Sequence, residues 1–286
     1  MRAFLLSFAV LSITGPAAAA GMDQIFAERK ALLAADMRCD LFTPPLRQAL
    51  EASTFQARTT LLRSGWTAAR ADDLGRRAAA EVSSRSCRDP VLIRAASDAR
   101  AGFAGWTRLM SMRFNGGERA WLARRAPDPQ GFYIRQDVPA PPGTNRGAAI
   151  FGVRRDGQGG SLVLLLPLRE GELAPASARI SYRDTARAPR SALDTPGRTA
   201  RGMTAAVASP ATARVTLART RAMETGEHGA RSVAFVFPDA VLAQIQALDP
   251  REAVAIMIDA RAPVTLLIEV GDLAAAHAFL AAEGIG

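Results

Sequence analysis

Lysine is almost missing from this chain of 286 residues: Lys30 stands alone among 36 basic side chains. The rest are arginines, a bias read first as the mark of a GC-rich coding sequence, so the net charge of +9 says little about partners. Histidine is as scarce, with only His228 and His277, and the only cysteines are Cys39 and Cys87. A zinc site needs three or four ligands close in space, and this supply does not suggest one. With two tyrosines, three tryptophans and no zinc, RNP or basic-zipper pattern, nucleic acid is not an expected partner either.

The compact motifs of catalysis are also missing. No G-x-S-x-G string would place a serine on a nucleophile elbow, and no serine precedes Lys30 at the S-x-x-K spacing. There is no D-x-D-x-D-G calcium loop, no Walker pattern and no dinucleotide glycine pattern. No cofactor and no metal are therefore expected. His228 lies in a polar stretch and reads as an exposed loop residue, with a triad role as the sharper alternative. His277 reads as half-buried beside a helix stripe, and Glu170 and Glu172 read as surface turn residues.

What is present begins with export grammar. Met1 and Arg2 form a positive start, Ala3 to Ile13 is an apolar run of eleven residues, and Pro16 precedes Ala17 to Ala20. The run is shorter than the ~20 residues that span a bilayer, so residues 1–20 read as a cleavable signal peptide rather than an anchor. Export places Cys39 and Cys87 where disulfides persist, and an intramolecular bridge between them is expected. Localisation is expected to be periplasmic or secreted.

From residue 21 to 111 the pattern is helical. Ile25, Leu32 and Leu33 begin a first helix ending near Arg38, and Thr43 and Pro44 open a second that Gly65 closes. Thr67 caps a third. Asp89 and Pro90 open a fourth, whose stripe of Leu92, Ala95, Ala99, Phe103, Trp106 and Met110 keeps helical spacing over about five turns. Residues 112–130, with Asn115, Gly116, Gly117, Pro127 and Pro129, read as a connector. Residues 131–286 read as an α+β domain with a mainly antiparallel sheet and two short helices, the second capped by Asp272. Eight strands are expected there: Phe132–Val138, Ala148–Arg154, Ser161–Leu168, Ala178–Tyr182, Ala213–Leu217, Ser232–Phe237, Ala253–Ile258 and Val264–Val270. The stretch from Thr185 to Ser209, rich in Ala, Arg, Pro and Gly, reads as a long mobile loop.

The closing order of strand, helix, two strands and helix from Val233 to Leu280 resembles the C-terminal part of the invasion associated locus B family. The resemblance covers about 50 residues and rests on element order and apolar placement. It implies a small, periplasmic, non-enzymatic β-rich domain. This half lacks the cysteines typical of that family, and no functional residue carries over.

Two readings of function follow. The first is a non-catalytic binding module of the cell envelope, with an envelope protein or polymer as partner and weak, salt-sensitive attraction of its arginine faces to anionic membrane. Interfaces concentrate energy in aromatic and arginine anchors, so Trp121, Arg124, Arg125, Tyr133, Arg154 and Arg155 are the candidate surface, with Trp66 and Phe151 as further aromatics. The alternative is a hydrolase of an envelope component. A deep cleft with titratable groups of shifted pKa would favour the enzyme, and an apolar patch the binder.

Overall fold

The computed structural model describes residues 21–140, 147–156, 159–194, 202–226 and 229–281. The proposed signal segment and His228 lie outside these residues. Four helices come first: α1 (Met22–Cys39), α2 (Pro44–Arg63), α3 (Ala68–Ser83) and α4 (Pro90–Phe103). Their ends follow local chemistry. The Thr67 hydroxyl accepts from the Arg70 N–H at 3.2 Å, and the Asp89 carboxylate accepts from the Val91 N–H at 2.8 Å. After α2, Trp66 N–H bonds Leu61 C=O and Gly65 N–H bonds Leu62 C=O, with Gly65 at φ +94°. That is the paired closure in which a left-handed glycine satisfies the last carbonyls.

Cys39 and Cys87 are bonded, tying the end of α1 to the turn before α4 across a sequence separation of 48. Leu32, Ala35, Phe42, Leu50, Leu92 and Ala96 fill the core beside this staple. The fourth stripe is shorter than its spacing implies. α4 ends at Phe103, Ala104 and Gly105 intervene, and Trp106 sits in a separate 3-10 turn with its ring 5.1 Å from that of Phe279, while Met110 is exposed.

The connector is not a connector. Residues 111–124 form β1 (Ser111–Asn115) and β2 (Ala120–Arg124), an antiparallel hairpin that begins a sheet. The meander continues through β3 (Phe132–Val138), β4 (Ala149–Asp156) and β5 (Gly159–Pro167), and the chain then crosses to a second sheet for β6 (Ser177–Arg183) and β7 (Ala213–Leu217). It returns for β8 (Thr220–Thr225) and β9 (Arg231–Val236), passes through α5 (Ala240–Gln246), and ends with β10 (Ala253–Asp259), β11 (Val264–Glu269) and α6 (Leu273–Ala281). One sheet has the order β1-β2-β3-β4-β5-β9-β8, the other β11-β10-β6-β7, and every pairing within them is antiparallel. β8 is a strand that apolar alternation does not show, because it lies at an edge and is exposed along most of its length.

Alternate residues of both sheets, such as Phe151, Leu164 and Phe235 from one and Ile180, Ile256 and Ile268 from the other, share one core. α6 packs against β1 and β2 on one side and against α2 on the other, and Ala52 of α2 belongs to the same core. Within the described parts of the Thr185–Ser209 stretch, Leu193 and Ala206 are buried against Ala253, while most of the other residues are exposed.

Charges complete the join. Arg251, buried, holds Asp249 through two hydrogen bonds of 2.9 and 2.7 Å and donates to Leu62 C=O of α2 at 3.1 Å. Glu269 accepts from three successive backbone N–H groups of the β1–β2 turn, those of Gly117, Glu118 and Arg119. Such a run of N–H groups forms a nest for an anion, and this explains the Asn115-Gly116-Gly117 break.

Candidate functional site

Between the helices and the sandwich lies a cleft of about 570 Å³, within the size range of small-molecule sites. Its helix wall carries Lys30 of α1, Arg58 of α2, and Asp72 and Arg76 of α3. Its sandwich wall carries Gln246, Leu248, Val270 and Asp272. α1 and α3 approach closely at Gly75, where an added Cβ would stand 3.2 Å from Cε of Lys30 and 3.4 Å from the Phe26 ring. The missing side chain leaves room for the Lys30 stem along the wall.

Most cations of this wall already have partners. Arg58 pairs with Asp72 at 3.0 Å, and Arg76 lies 3.2 Å from Asp73, which it shares with Arg77. Among the described residues Lys30 has no ion pair.

The opposite wall is built at the entry to α6. Gly271, at φ +48°, turns the chain out of β11, and the Asp272 carbonyl accepts from Ala276 N–H at 2.9 Å. Asp272 thus starts the helix as expected, but its carboxylate does not cap it. The carboxylate turns to α2, where Arg63 Nη2 lies 3.8 Å away. The side chain is 6% exposed, and its Oδ1 has no hydrogen bond. The same Arg63 nitrogen lies 4.0 Å from buried Glu269, so two carboxylates share one guanidinium. Burial, reinforced by Glu269 and opposed by Arg63 and Thr59, pushes the Asp272 pKa up to about 6. Beside it, Nε2 of Gln246 is buried without an acceptor. Burying such groups unmet costs free energy.

The aromatic and arginine candidates do not form one surface. Trp121 is 0% exposed, its indole N–H bonded to Val270 C=O at 2.9 Å, and Phe151 is equally buried, so neither can be a surface anchor. Both point inward because strand alternation puts them on the core face. Arg125, 5% exposed, donates to Thr107 C=O and lies 4.6 Å over the Phe279 ring, a structural role under α6. Arg154 and Arg155 are neighbours in β4 and so project from opposite faces. Arg155 lies 5.0 Å over Tyr133. Arg154 lies 4.4 Å over Phe132 and pairs through both nitrogens with Glu224 of β8, at 2.6 and 3.1 Å. β4 and β8 are three strand positions apart, about 14 Å in a flat sheet, so this face of the seven-stranded sheet is concave, with the ion pair crossing it. Arg124 and Tyr133 are partly buried, and Trp66 is covered by the Arg70 guanidinium at 3.6 Å.

His277 is half-buried, and burial with nearby Arg155 holds its pKa below the usual histidine value. Among the described residues no group of three metal-ligating side chains comes together, and no helix is long and apolar enough to cross a membrane. Sequence reasoning missed the cleft. Its one linear signal was Lys30 itself, the lone lysine in an arginine-rich chain. Compared with protein-family models, with curated proteins and with solved structures, the chain matches none.

Proposed function

We propose that the chain is exported and works as a non-catalytic binding module of the cell envelope, taking a chain end or fragment of an envelope protein or polymer into the cleft between α1–α3 and the sandwich. The observation that carries this reading is the cleft itself, about 570 Å³ in volume, with Lys30 on its wall without an ion pair among the described residues. The leader-like N-terminus and the Cys39–Cys87 bridge support an oxidising compartment outside the cytoplasm.

The hydrolase alternative has one observation in its favour, a carboxyl group with a pKa of about 6 in a cleft, as a general acid or base needs. Against it, the Thr54 hydroxyl in the same cleft is spent on the Leu50 carbonyl at 2.6 Å, and Asp72 is tied to Arg58.

The test is a thermal-shift panel of amino acids, short peptides, sugar acids and sugar phosphates against the purified mature chain. At least one compound should raise Tm in the wild type and fail to do so in Lys30→Met. A panel with no stabilising compound sinks the binding reading. Conversion of a panel compound that stops in Asp272→Asn establishes the hydrolase instead. Intact mass of protein from the native envelope fraction should place its N-terminus at Ala20, Gly21 or Met22, and retention of Met1 would refute cleavage.

A further inference from the structure

Resting on the reading of the cleft as the binding site, we infer that its ligand is a carboxylate joined to an apolar group, held by Lys30 and by the spare N–H groups of Arg58 and Arg76. The helix wall carries the argument. Asp72, Gly75, Arg76 and Ala79 of α3 all line the cleft, and their spacing of three and four puts them on one helix face. Lys30 crosses from α1 onto this stripe. A Cβ at Gly75 would stand 3.2 Å from its Cε and 3.4 Å from its Cγ, so the stem lies along bare backbone and carries the ammonium to the turn of α3 that bears Arg76. Arg58 spends Nε and Nη2 on a single oxygen of Asp72, both at 3.0 Å, which leaves Nη1. Arg76 reaches Asp73 through Nη2 alone, at 3.2 Å, and Arg77 shares that carboxylate. Among the described residues Lys30 has no ion pair. Lys30 and Arg58 are half-buried and Arg76 is exposed, so all three are open to a ligand in the cleft.

The opposite wall does not contest an anion. Asp272 lines the cleft, but its carboxylate is buried and turned to α2, with Arg63 Nη2 3.8 Å away. Its neighbour Glu269 lies 4.0 Å from the same nitrogen, accepts from the N–H groups of the β1–β2 turn and also feels the charge of Arg119. Two cations thus balance two acids on the sandwich side, and the excess positive charge of the cleft sits on the helix wall. Lys30 is the one lining cation without a carboxylate of its own, so a single negative charge completes the wall. A carboxylate carries one such charge, whereas a phosphate ester at neutral pH exceeds it. The apolar half of the ligand follows from the rest of the lining. Phe26, Leu248 and Val270 face the cleft, and Phe55 beside them is 44% exposed, a large apolar surface that a bare inorganic anion would leave in water.

Titration calorimetry on the intact mature chain at low salt tests this with two acids, hexanoate and N-acetyl-L-leucine, each against its own amide, and with inorganic phosphate. At least one acid should bind, and the tighter of the two tells whether a free carboxylic acid or the carboxyl end of a peptide is the source. Its amide should bind more weakly by roughly tenfold or more, the worth of a charge-assisted hydrogen bond. Phosphate should bind more weakly than the acid, and added sodium chloride should weaken the acid but not the amide. Lys30→Met should bring the acid down to the affinity of its amide. Arg76→Gln, at an exposed position, should weaken the acid by a smaller factor and keeps the test alive if circular dichroism shows Lys30→Met unfolded. An amide or phosphate that binds as tightly as the acid overturns the inference, as does unchanged acid affinity in the folded variants. If a sugar acid or sugar phosphate from the thermal-shift panel binds and neither apolar acid does, this inference fails while the binding-module reading stands. If nothing in either set binds, both fail.

Discussion

Asp272 shows how one residue can weaken a fold that keeps it. Its pKa rises from 3.8 to about 6 on folding, so the folded state holds the proton more tightly than the unfolded one. For a carboxyl group raised in this way, stability is greatest below the unfolded value and declines as pH climbs through the folded one. The penalty at neutral pH is on the order of 3 kcal/mol. Asp272→Asn, neutral at every pH, should therefore be as stable as the wild type or more stable at pH 7.5. Its advantage should vanish near pH 4, as read by urea unfolding across that range. A wild type that loses stability on Asp272→Asn at pH 7.5 would show that the ion pair with Arg63 outweighs burial. His277 works in the opposite sense: its lowered pKa favours the neutral ring in the fold, so its contribution is lost as pH falls below the ordinary histidine value.

At the scale of elements, two constraints hold parts that have little else in common. The Cys39–Cys87 bridge closes a loop of 48 residues around α2 and α3 and should contribute about 4 kcal/mol in the chain-entropy account. Reduction should lower Tm and speed amide exchange first in α4, which the bridge anchors to α1. Two freely alkylated thiols in the folded, oxidised protein would show the bridge absent. In the sandwich, Gly152 of β4 stands against β3 where the pairing slips between Phe132 and Ile134. A Cβ there would lie 1.9 Å from the Ile134 carbonyl oxygen and 2.8 Å from Arg135 Cα, both backbone atoms that cannot swing aside. Gly152→Ala should cost at least about 3 kcal/mol, at the upper end of ordinary substitutions. Chemical denaturation measures it, and a loss below 1 kcal/mol would mean that β3 and β4 can part locally.

Taken whole, the helices and the sandwich are bound too tightly to behave as separate bodies. α2 lies on α6, Ala52 joins the sandwich core, and Arg251 ties Asp249 to the Leu62 carbonyl. Unfolding should be a single transition. Trp66 packs among the α1–α2 residues and Trp121 within the sandwich, so tryptophan fluorescence and far-ultraviolet dichroism should give coincident curves. Arg251→Ala leaves Asp249 buried without its counter-charge and should cost about 3–5 kcal/mol. If the curves of the wild type separate into two steps, the junction is weaker than its contacts imply.

The sequence by itself determined what depends on near neighbours. Helix ends were legible at Gly65, Thr67 and Asp89, because capping is chemistry within a few residues. Strands such as Phe132–Val138 and Ala213–Leu217 were legible from alternation and turn residues, and the Cys39–Cys87 bridge from there being no other thiol. Tertiary structure decided what depends on partners far along the chain. The glycines near residue 116 looked like a break, yet they form a strand turn because the carboxylate of Glu269, about 150 residues later, fills it. β8 carries no apolar alternation because an edge strand needs none, and only its pairing with β9 defines it. Trp121 and Arg125 have the composition of surface anchors, and burial under α6 and the second sheet removed them from the surface. The cleft belongs to this second kind. Lys30 and Asp272 lie far apart in the chain, and only folding brings them to the walls of one cleft.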